Sequence, residues 1–582
     1  MFRKTIVGPV AIAAASVLFQ ANAQAGSVNV VELTASQIKT DLLGGTYSAT
    51  DLVQSYLDRI NIYNGNYNAF TLLDTTGALA QAAALDASLA SNPSALLSKP
   101  LLGTVVVIKD SMNVAGQRTT AGYSGFVAEK GGVNMIALND APIVSRLRSA
   151  GAIVLGKTNL PSFARSGASA NTSYAGPTYN AYNRSRVPGG SSSGSATATS
   201  ASFATMGTAE ETGGSIQNPA GAQGLVGVKT TFGLVPTSGG VPLTGSTRDV
   251  FGPNTKSVRD SALMLDAIAG SDISDPNTAP ANSNIPVGGY TAGLNTTALQ
   301  GKKFGLLSGS FKNVSNAPIA LSGDVSTLYN QAQSVLTSQG ATVSTTDIWN
   351  MSYNSKQWNT IGAAFSQYSG TNLPFEINEW MKTMDSTKSP TSVADYKTAS
   401  GIDLMTPSQP LLGSFAATGV NLDAGPALGA AAADPTVNQT FFVNKFMLGK
   451  AEFLAALNKI MVDNDLDGFF FPQQTSQPGL LPNSTTANGT YAAPTVSEIN
   501  LLGVPQVNLP FGYYSDGTPF SVAFWGREWT EDKLLGYAYD FEDAIASTAF
   551  ARTAPVLLIP EPTMLASLLL TQVFMLRRRR QR

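Results

Sequence analysis

Apolar residues first recur at helical spacing between residues 35 and 61, where Leu52, Val53, Tyr56, Leu57 and Ile60 follow the capping candidates Ser48 and Thr50. That pattern predicts a helix from Ala35 to Asn61, started by a capping box of Thr34 and Gln37. A second, alanine-rich helix is predicted from Thr76 to Ala90. The period then changes. Val105 to Ile108 is a continuous apolar run, short enough for a buried strand, and it closes on Lys109. Ile143, Val144 and Leu147 predict another helix, stopped at Gly151 and followed by a strand from Ile153 to Leu155. Residues 275–295 read as a loop, a strand is predicted near Phe304 to Leu307, and a helix near Val325 to Gln339. From Ser389 to Thr436 small and turn-forming residues give no period. Two core strands follow in LDGFFFPQ and GVPQVNLPFG, and WTEDKLLGYAYDFEDAI predicts an amphipathic helix with Leu534, Leu535, Ala538 and Phe541 on one face. Strands alternating with helices along the whole length indicate an α/β fold.

Composition narrows the chemistry. The 582 residues are 43% hydrophobic, enough for a sizeable core, and only 13% charged. Basic runs occur only at the two ends, so the body lacks the footprint of a nucleic-acid binder. Cysteine is absent, which excludes disulfides, thiolate metal sites and cysteine nucleophiles. Histidine is absent too, so no metal or cofactor is expected.

Both ends carry targeting patterns. Arg3 and Lys4, the apolar run from Ile6 to Phe19 and small-residue sites ending at Ala23 or Ala25 make residues 1–25 a signal peptide by pattern. At the other end, Pro560-Glu561-Pro562 precedes an apolar segment and then Arg577 to Arg580. Residues 558–582 thereby resemble a PEP-CTERM sorting tail, with transient membrane contact; a plain membrane anchor is the rival. That resemblance implies signal peptidase and exosortase-like processing enzymes as partners, in a Gram-negative periplasm, at the cell surface or outside the cell. Without Arg3, Lys4, Arg577 to Arg580 and Arg582, 29 basic residues stand against 38 acidic ones, a formal charge of −9.

Two Gly-Ser clusters, GGSSSGSA from Gly189 and TGGS from Thr212, raise the question of a serine nucleophile. Gly190 to Gly194 matches G-x-S-x-G and would nominate Ser192, but that elbow needs a histidine base. Gly151 to Thr158 matches a phosphate-binding loop, yet Ile153, Val154 and Leu155 occupy its loop positions and read as strand. Ser36 to Lys39 matches S-x-x-K without its companion motifs and reads as a helix start. A flexible linker fits the second cluster poorly, because apolar Ile216, Leu225, Val226 and Val228 follow it. Serine chemistry without histidine leaves lysine as the best-attested base, if its charge is suppressed by burial or by cations. Lys109, Lys157 and Lys229 are comparable candidates on this argument.

GTVVVIKD, AGAIVLGKTNLPSF, VPGGSSSGSA, EETGGSIQNPAGAQGLVGVKTTFGLVP and VFGPNTKSVRDSALMLDAIAG, in this order, resemble the core of the amidase signature family. The resemblance runs from about Val31 to Ala544 and is weakest between Ser271 and Asp463. It implies one large α/β domain over residues 28–550, a mixed central β-sheet covered by helices on both faces. It also implies a Ser-cisSer-Lys triad of Ser215 as nucleophile, Ser191 as bridge and Lys109 as base. The backbone N–H groups of Thr212, Gly213, Gly214 and Ser215 would form the oxyanion hole. The implied function is an amidase acting on linear, non-peptide amide C–N bonds through an acyl-enzyme, on a small-molecule or peptide amide, peptide C-terminal amides among them.

Two positions depart from the family pattern. Ala209-Glu210-Glu211-Thr212 stands where Gly-Thr-Asp-Thr is common, and Gln217 where arginine is common, so the acid-base pair that supports the loop in those members is not expected here. The other readings are an esterase-leaning member, a catalytically silent surface or matrix binding protein of the same fold, and an amidotransferase subunit handling charged tRNA.

Overall fold

The computed structural model describes residues 27–306, 311–312, 318–344, 352–366, 368–369, 372–406, 409, 411, 443–482 and 496–559. The expected signal peptide, and all of the expected tail except residues 558 and 559, lie outside the described residues. No described helix is long and apolar enough to cross a membrane.

The apolar run at 105 becomes a central strand because both its faces are covered. Eleven strands form one sheet: β1 Phe70–Leu73, β2 Val105–Lys109, β3 Ile153–Thr158, β4 Met206–Glu211, β5 Val226–Lys229, β6 Val250–Thr255, β7 Lys303–Leu306, β8 Thr342–Ser344, β9 Gly468–Pro472, β10 Gln506–Tyr513 and β11 Pro519–Trp525. Their order is β1-β3-β2-β4-β6-β5-β10-β11-β9-β7-β8. β2 runs parallel to β3 and β4, whereas β4 and β6 are antiparallel, so the sheet is mixed. Alternate residues of β2 enter opposite cores. Val105 and Val107 pack with the N-terminal helices α1 Ala35–Leu43, α2 Ala49–Tyr63 and α3 Thr75–Ser91. Val106 and Ile108 pack with α4 Pro142–Ser149, α7 Val258–Ile268, α8 Gly323–Ser338 and α11 Glu531–Ile545. The remaining helices used below are α5 Ser193–Ser200, α6 Gln217–Ala222, α9 Leu373–Met381 and α10 Asn444–Asp463.

The helix expected over 35–61 is two helices. Gly44 closes α1, Gly45 turns at φ +70°, and Ser48 restarts the chain in a capping box with Asp51. Thr34 caps α1 by accepting from the Gln37 N–H. Within the lysine-containing segment at 151–158, Ile153–Thr158 is a fully buried strand, extending three residues past the predicted Leu155. Within the stretch that gave no period, Val393–Ser400 is a helix, while residues 412–442 lie outside the described ones.

Strands β4, β5 and β6 escaped the periodicity argument. Residues 206–211, MGTAEE, carry no alternation because the strand is buried on both sides, its small residues facing α5. α5 itself, SGSATATS, is buried at all eight positions. Its hydroxyls make this polar helix tolerable inside: Ser193 donates to the Gly189 carbonyl at 2.6 Å, Thr197 to Tyr179 at 3.0 Å, and Ser200 to Gln223 at 2.9 Å.

A buried acid on the helix Val496–Leu502 gives this fold a pH signature. Burial pushes the Glu498 carboxyl up to about 8. The folded chain therefore keeps a proton that the unfolded chain releases near the usual carboxyl value. Its stabilising contribution is complete at acid pH and is lost as pH rises through about 8. Relative to Glu498→Gln, wild type is expected to lose up to about 4 kcal/mol of unfolding free energy between pH 5 and 9, read from urea titrations.

Candidate active site

β2 and β4 end side by side, which carries Lys109 and Glu210 to the same end of the sheet. The Lys109 N–H donates to Thr208 Oγ1 at 3.0 Å, pinning the strand end to β4. Strand parity then turns the Lys109 side chain to the face of Val105 and Val107, where α5 lies. There its Nζ donates to Ser191 Oγ at 2.9 Å and to the Glu210 carbonyl at 3.0 Å. Both side chains are fully buried. The Gly190–Ser191 peptide is cis. A side chain at Gly190 would meet the Ser166 carbonyl at 2.3 Å, so only glycine fits before the bridging serine.

Ser215 lies on the loop between β4 and α6. The Ser192 N–H contacts its carbonyl at 3.4 Å, which joins the two Gly-Ser clusters. Gly214 adopts φ +104°, a conformation that favours glycine. Gly213 is exposed and a side chain there would enter open space, so the approach to the turn stays clear. Among the described residues, no partner takes the N–H groups of Gly213, Gly214 or Ser215. The structure thus brings Lys109 and Ser191 into contact, and it brings Ser215 beside them through backbone; the Ser215 hydroxyl makes no hydrogen bond among the described residues.

The three lysines separate by geometry. Lys157 pairs with Asp110 at 2.9 Å and donates to Thr119 Oγ1. Lys229 donates to the carbonyls of Thr230 and Val504. Only Lys109, of the three, donates to a serine of the Gly-Ser clusters. Ser192, the elbow candidate, turns its hydroxyl to the backbone of Glu210, 3.4 Å away.

As the Gln217 departure implies, no acid-base pair among the described residues ties the loop after β4; amide donors brace it instead. Glu211 Oε2 accepts from the N–H groups of Ile216 at 2.8 Å and Gln217 at 3.1 Å. Its Oε1 accepts from Gln217 Nε2 at 2.5 Å and Asn500 Nδ2 at 2.8 Å. A neutral amide thus does the arginine's bridging work, and one carboxylate spans the nucleophile turn. Thr212, at the start of the turn, donates to Asp249, which also accepts from the N–H groups of Leu243, Thr244 and Gly245.

Electrostatics follow from burial. Burial pulls the Lys109 ammonium down to about 8 against the opposing pull of Glu210, Asp249 and Glu211. Burial pushes the Glu210 carboxyl up to about 7 against the attraction of Lys109. Its Oε2 lies 3.8 Å from Lys109 Nζ. Behind this pair opens a cavity of about 510 Å³ lined by Glu210, Asp249, Asp275, Glu376 and Trp380, with no lysine or arginine in its walls. Asp249, Asn500 and Glu376 were missed by sequence reasoning, because only the fold brings them near. Glu210 alone carried a signal, as a departure inside a motif. No group of three or more acidic residues among the described ones is arranged to hold a metal ion.

A buried lysine-serine contact and a glycine-rich serine turn thus stand together at the strand ends of a mixed α/β sheet. The family model for Amidase matches residues 51–405. The chain belongs to that family. It is 30% identical over 533 residues to a glutamyl-tRNA(Gln) amidotransferase subunit from Trichlorobacter lovleyi, covering 89% of this chain and 98% of the relative. The same-named protein from Coxiella burnetii is 39% identical over 287 residues, 49% of this chain and 56% of that one, so this match spans about half the relative's length. The peptide amidase of Stenotrophomonas maltophilia superposes with a TM-score of 0.69 at 29% identity, over 90% of this chain and 99% of the other.

Proposed function

We propose that this chain is an exported amidohydrolase that cleaves carboxamide C–N bonds, peptide C-terminal amides among them, with Ser215 as nucleophile, Ser191 as bridge and Lys109 as base. The observation that carries the reading is the buried Lys109 Nζ to Ser191 Oγ contact of 2.9 Å. In the neutral state the amine takes the Ser191 proton as Ser191 takes that of Ser215, and Ser215 Oγ attacks the carbonyl carbon. The free N–H groups of the turn receive the oxygen's developing charge. The Lys109 ammonium then returns its proton through Ser191 to the leaving nitrogen, the C–N bond breaks, and water hydrolyses the acyl-enzyme by the same route. Because burial pulls the Lys109 ammonium down to about 8, the neutral amine is far more accessible near neutral pH than in an ordinary lysine. Amide turnover is therefore expected to rise between pH 7 and 9, with its acid limb near 8.

Ammonia release from a panel of amidated peptides, aryl amides, fatty amides and glutamine, with matched esters, tests the reaction and ranks substrates. Release from none of them, with Ser215 inert to a fluorophosphonate, would instead support a silent binding protein. The amidotransferase relatives favour a second reading, a component of such an enzyme; isolation of the unprocessed chain in complex with other subunits from the cytoplasm would support it. Export is tested by intact mass: a chain from the periplasm or medium is expected to begin after Ala23 or Ala25.

A further inference from the structure

Glu210 stands where threonine is common in the Gly-Thr-Asp-Thr pattern, and both its carbonyl and its carboxylate lie near the Lys109 amine. A neutral amine has two N–H donors and one lone pair. To act as base, Lys109 must aim that lone pair at Ser191, so its two N–H groups need acceptors elsewhere. The Glu210 carbonyl is one, at 3.0 Å, and its carboxylate Oε2 is the nearest further oxygen of that residue, at 3.8 Å. This carboxylate is 2% exposed, and its Oε2 makes no hydrogen bond within the described structure. In the charged state the same carboxylate attracts the ammonium, and an unscreened pair at this distance interacts strongly.

We propose that Glu210 is a positioning residue for Lys109, orienting its neutral amine toward Ser191 while its charge delays the loss of the ammonium proton. The consequence is a base whose working range is set by the side chain at position 210. The groups that face the pair are Glu211 on β4, Asp249 before β6, and the Ser111 hydroxyl after β2; Asp275 and Glu376 of α9 stand across the cavity. The carboxylates among them carry the same sign as Glu210, so none replaces its charge without adding to it. Burial opposes them, and the balance leaves Lys109 below an ordinary lysine.

The inference rests on Lys109 being the base, and its test separates the two. The pH dependence of kcat/KM between pH 5 and 10 is measured for wild type, Glu210→Gln and Glu210→Ala, beside competitive acetylation of Lys109 with acetic anhydride, read by mass spectrometry. Glu210→Gln keeps an acceptor and removes the charge, so both the acid limb and the acetylation midpoint are expected to move down by about one pH unit or more, with the plateau rate within a fewfold of wild type. Glu210→Ala keeps the backbone acceptor at 3.0 Å but removes the whole side chain beside the amine, so it is expected to share that shift and to add a plateau loss of about tenfold, mainly in kcat. If Glu210→Gln does not fold, Glu210→Thr is expected to give the same downward shift. Unmoved acetylation midpoints in the folded variants would overturn the proposal. Should wild type release no ammonia from any amide, the amidase reading fails, while the acetylation midpoints still decide the role of Glu210.

Discussion

Ser215→Ala is expected to lower ammonia release at least about 10⁴-fold, and Lys109→Ala about 10³-fold or more, with the urea midpoint of Ser215→Ala close to that of wild type. The asymmetry has a structural reason. Ser215 makes no side-chain hydrogen bond among the described residues, so its loss removes the nucleophile and little else. Lys109 is fully buried and donates to Ser191 and the Glu210 carbonyl, so its truncation leaves a cavity and two unsatisfied acceptors. Lys109→Met, similar in volume, separates the two effects: it is expected to recover part of the lost stability and none of the activity. The two activity losses are expected to be far from additive in the double variant, because both groups act in one proton relay. Steady-state ammonia assays and urea titrations of wild type and the four variants check this.

The second large effect is expected at Glu211. Four donors converge on its carboxylate: the N–H groups of Ile216 and Gln217 and the side-chain amides of Gln217 and Asn500. Glu211→Ala leaves them without their acceptor inside the protein, at about 1 to 3 kcal/mol for each that water cannot reach. The Thr212 to Ser215 turn would lose its brace, and with it the alignment of N–H groups on the developing oxyanion. A fall in kcat of about 10²-fold is expected together with a lowered melting temperature. Glu211→Asp retains an acid at the position where the family pattern has aspartate, and is expected to keep more activity than alanine. An unchanged kcat in a folded Glu211→Ala would show that the turn is held by other contacts.

Why some of this was legible in the sequence and some was not comes down to burial geometry. β2 announced itself because Val105 to Ile108 are all large and apolar. α11 did so because one of its faces is solvated and the other is not. β4 and α5 did not, because they pack against each other through glycine, alanine, serine and threonine, whose hydrogen bonds depend on partners remote in sequence. The break at Gly44-Gly45 was in plain view, but the apolar spacing on either side of it suggested one helix. Among the site residues, Lys109 could be ranked level with Lys157 and Lys229 and no further until motif resemblance favoured it. What separates them is strand parity and the place of Ser191 against the end of β2, both properties of the folded chain. The missing acid-base pair could be read from Gln217, but the amide brace that stands in its place could not, because Asn500 reaches Glu211 only in the folded chain.

The proposed relay requires Ser215 to be the group that attacks. Treatment with a fluorophosphonate followed by proteolysis and tandem mass spectrometry reads this directly, because the reagent remains on the nucleophile. The expected result is a single phosphonylated peptide with the adduct on Ser215 in wild type, slowed at least about a hundredfold in Lys109→Ala. An adduct on Ser192, or labelling of Ser215 at the same rate with and without Lys109, would contradict it.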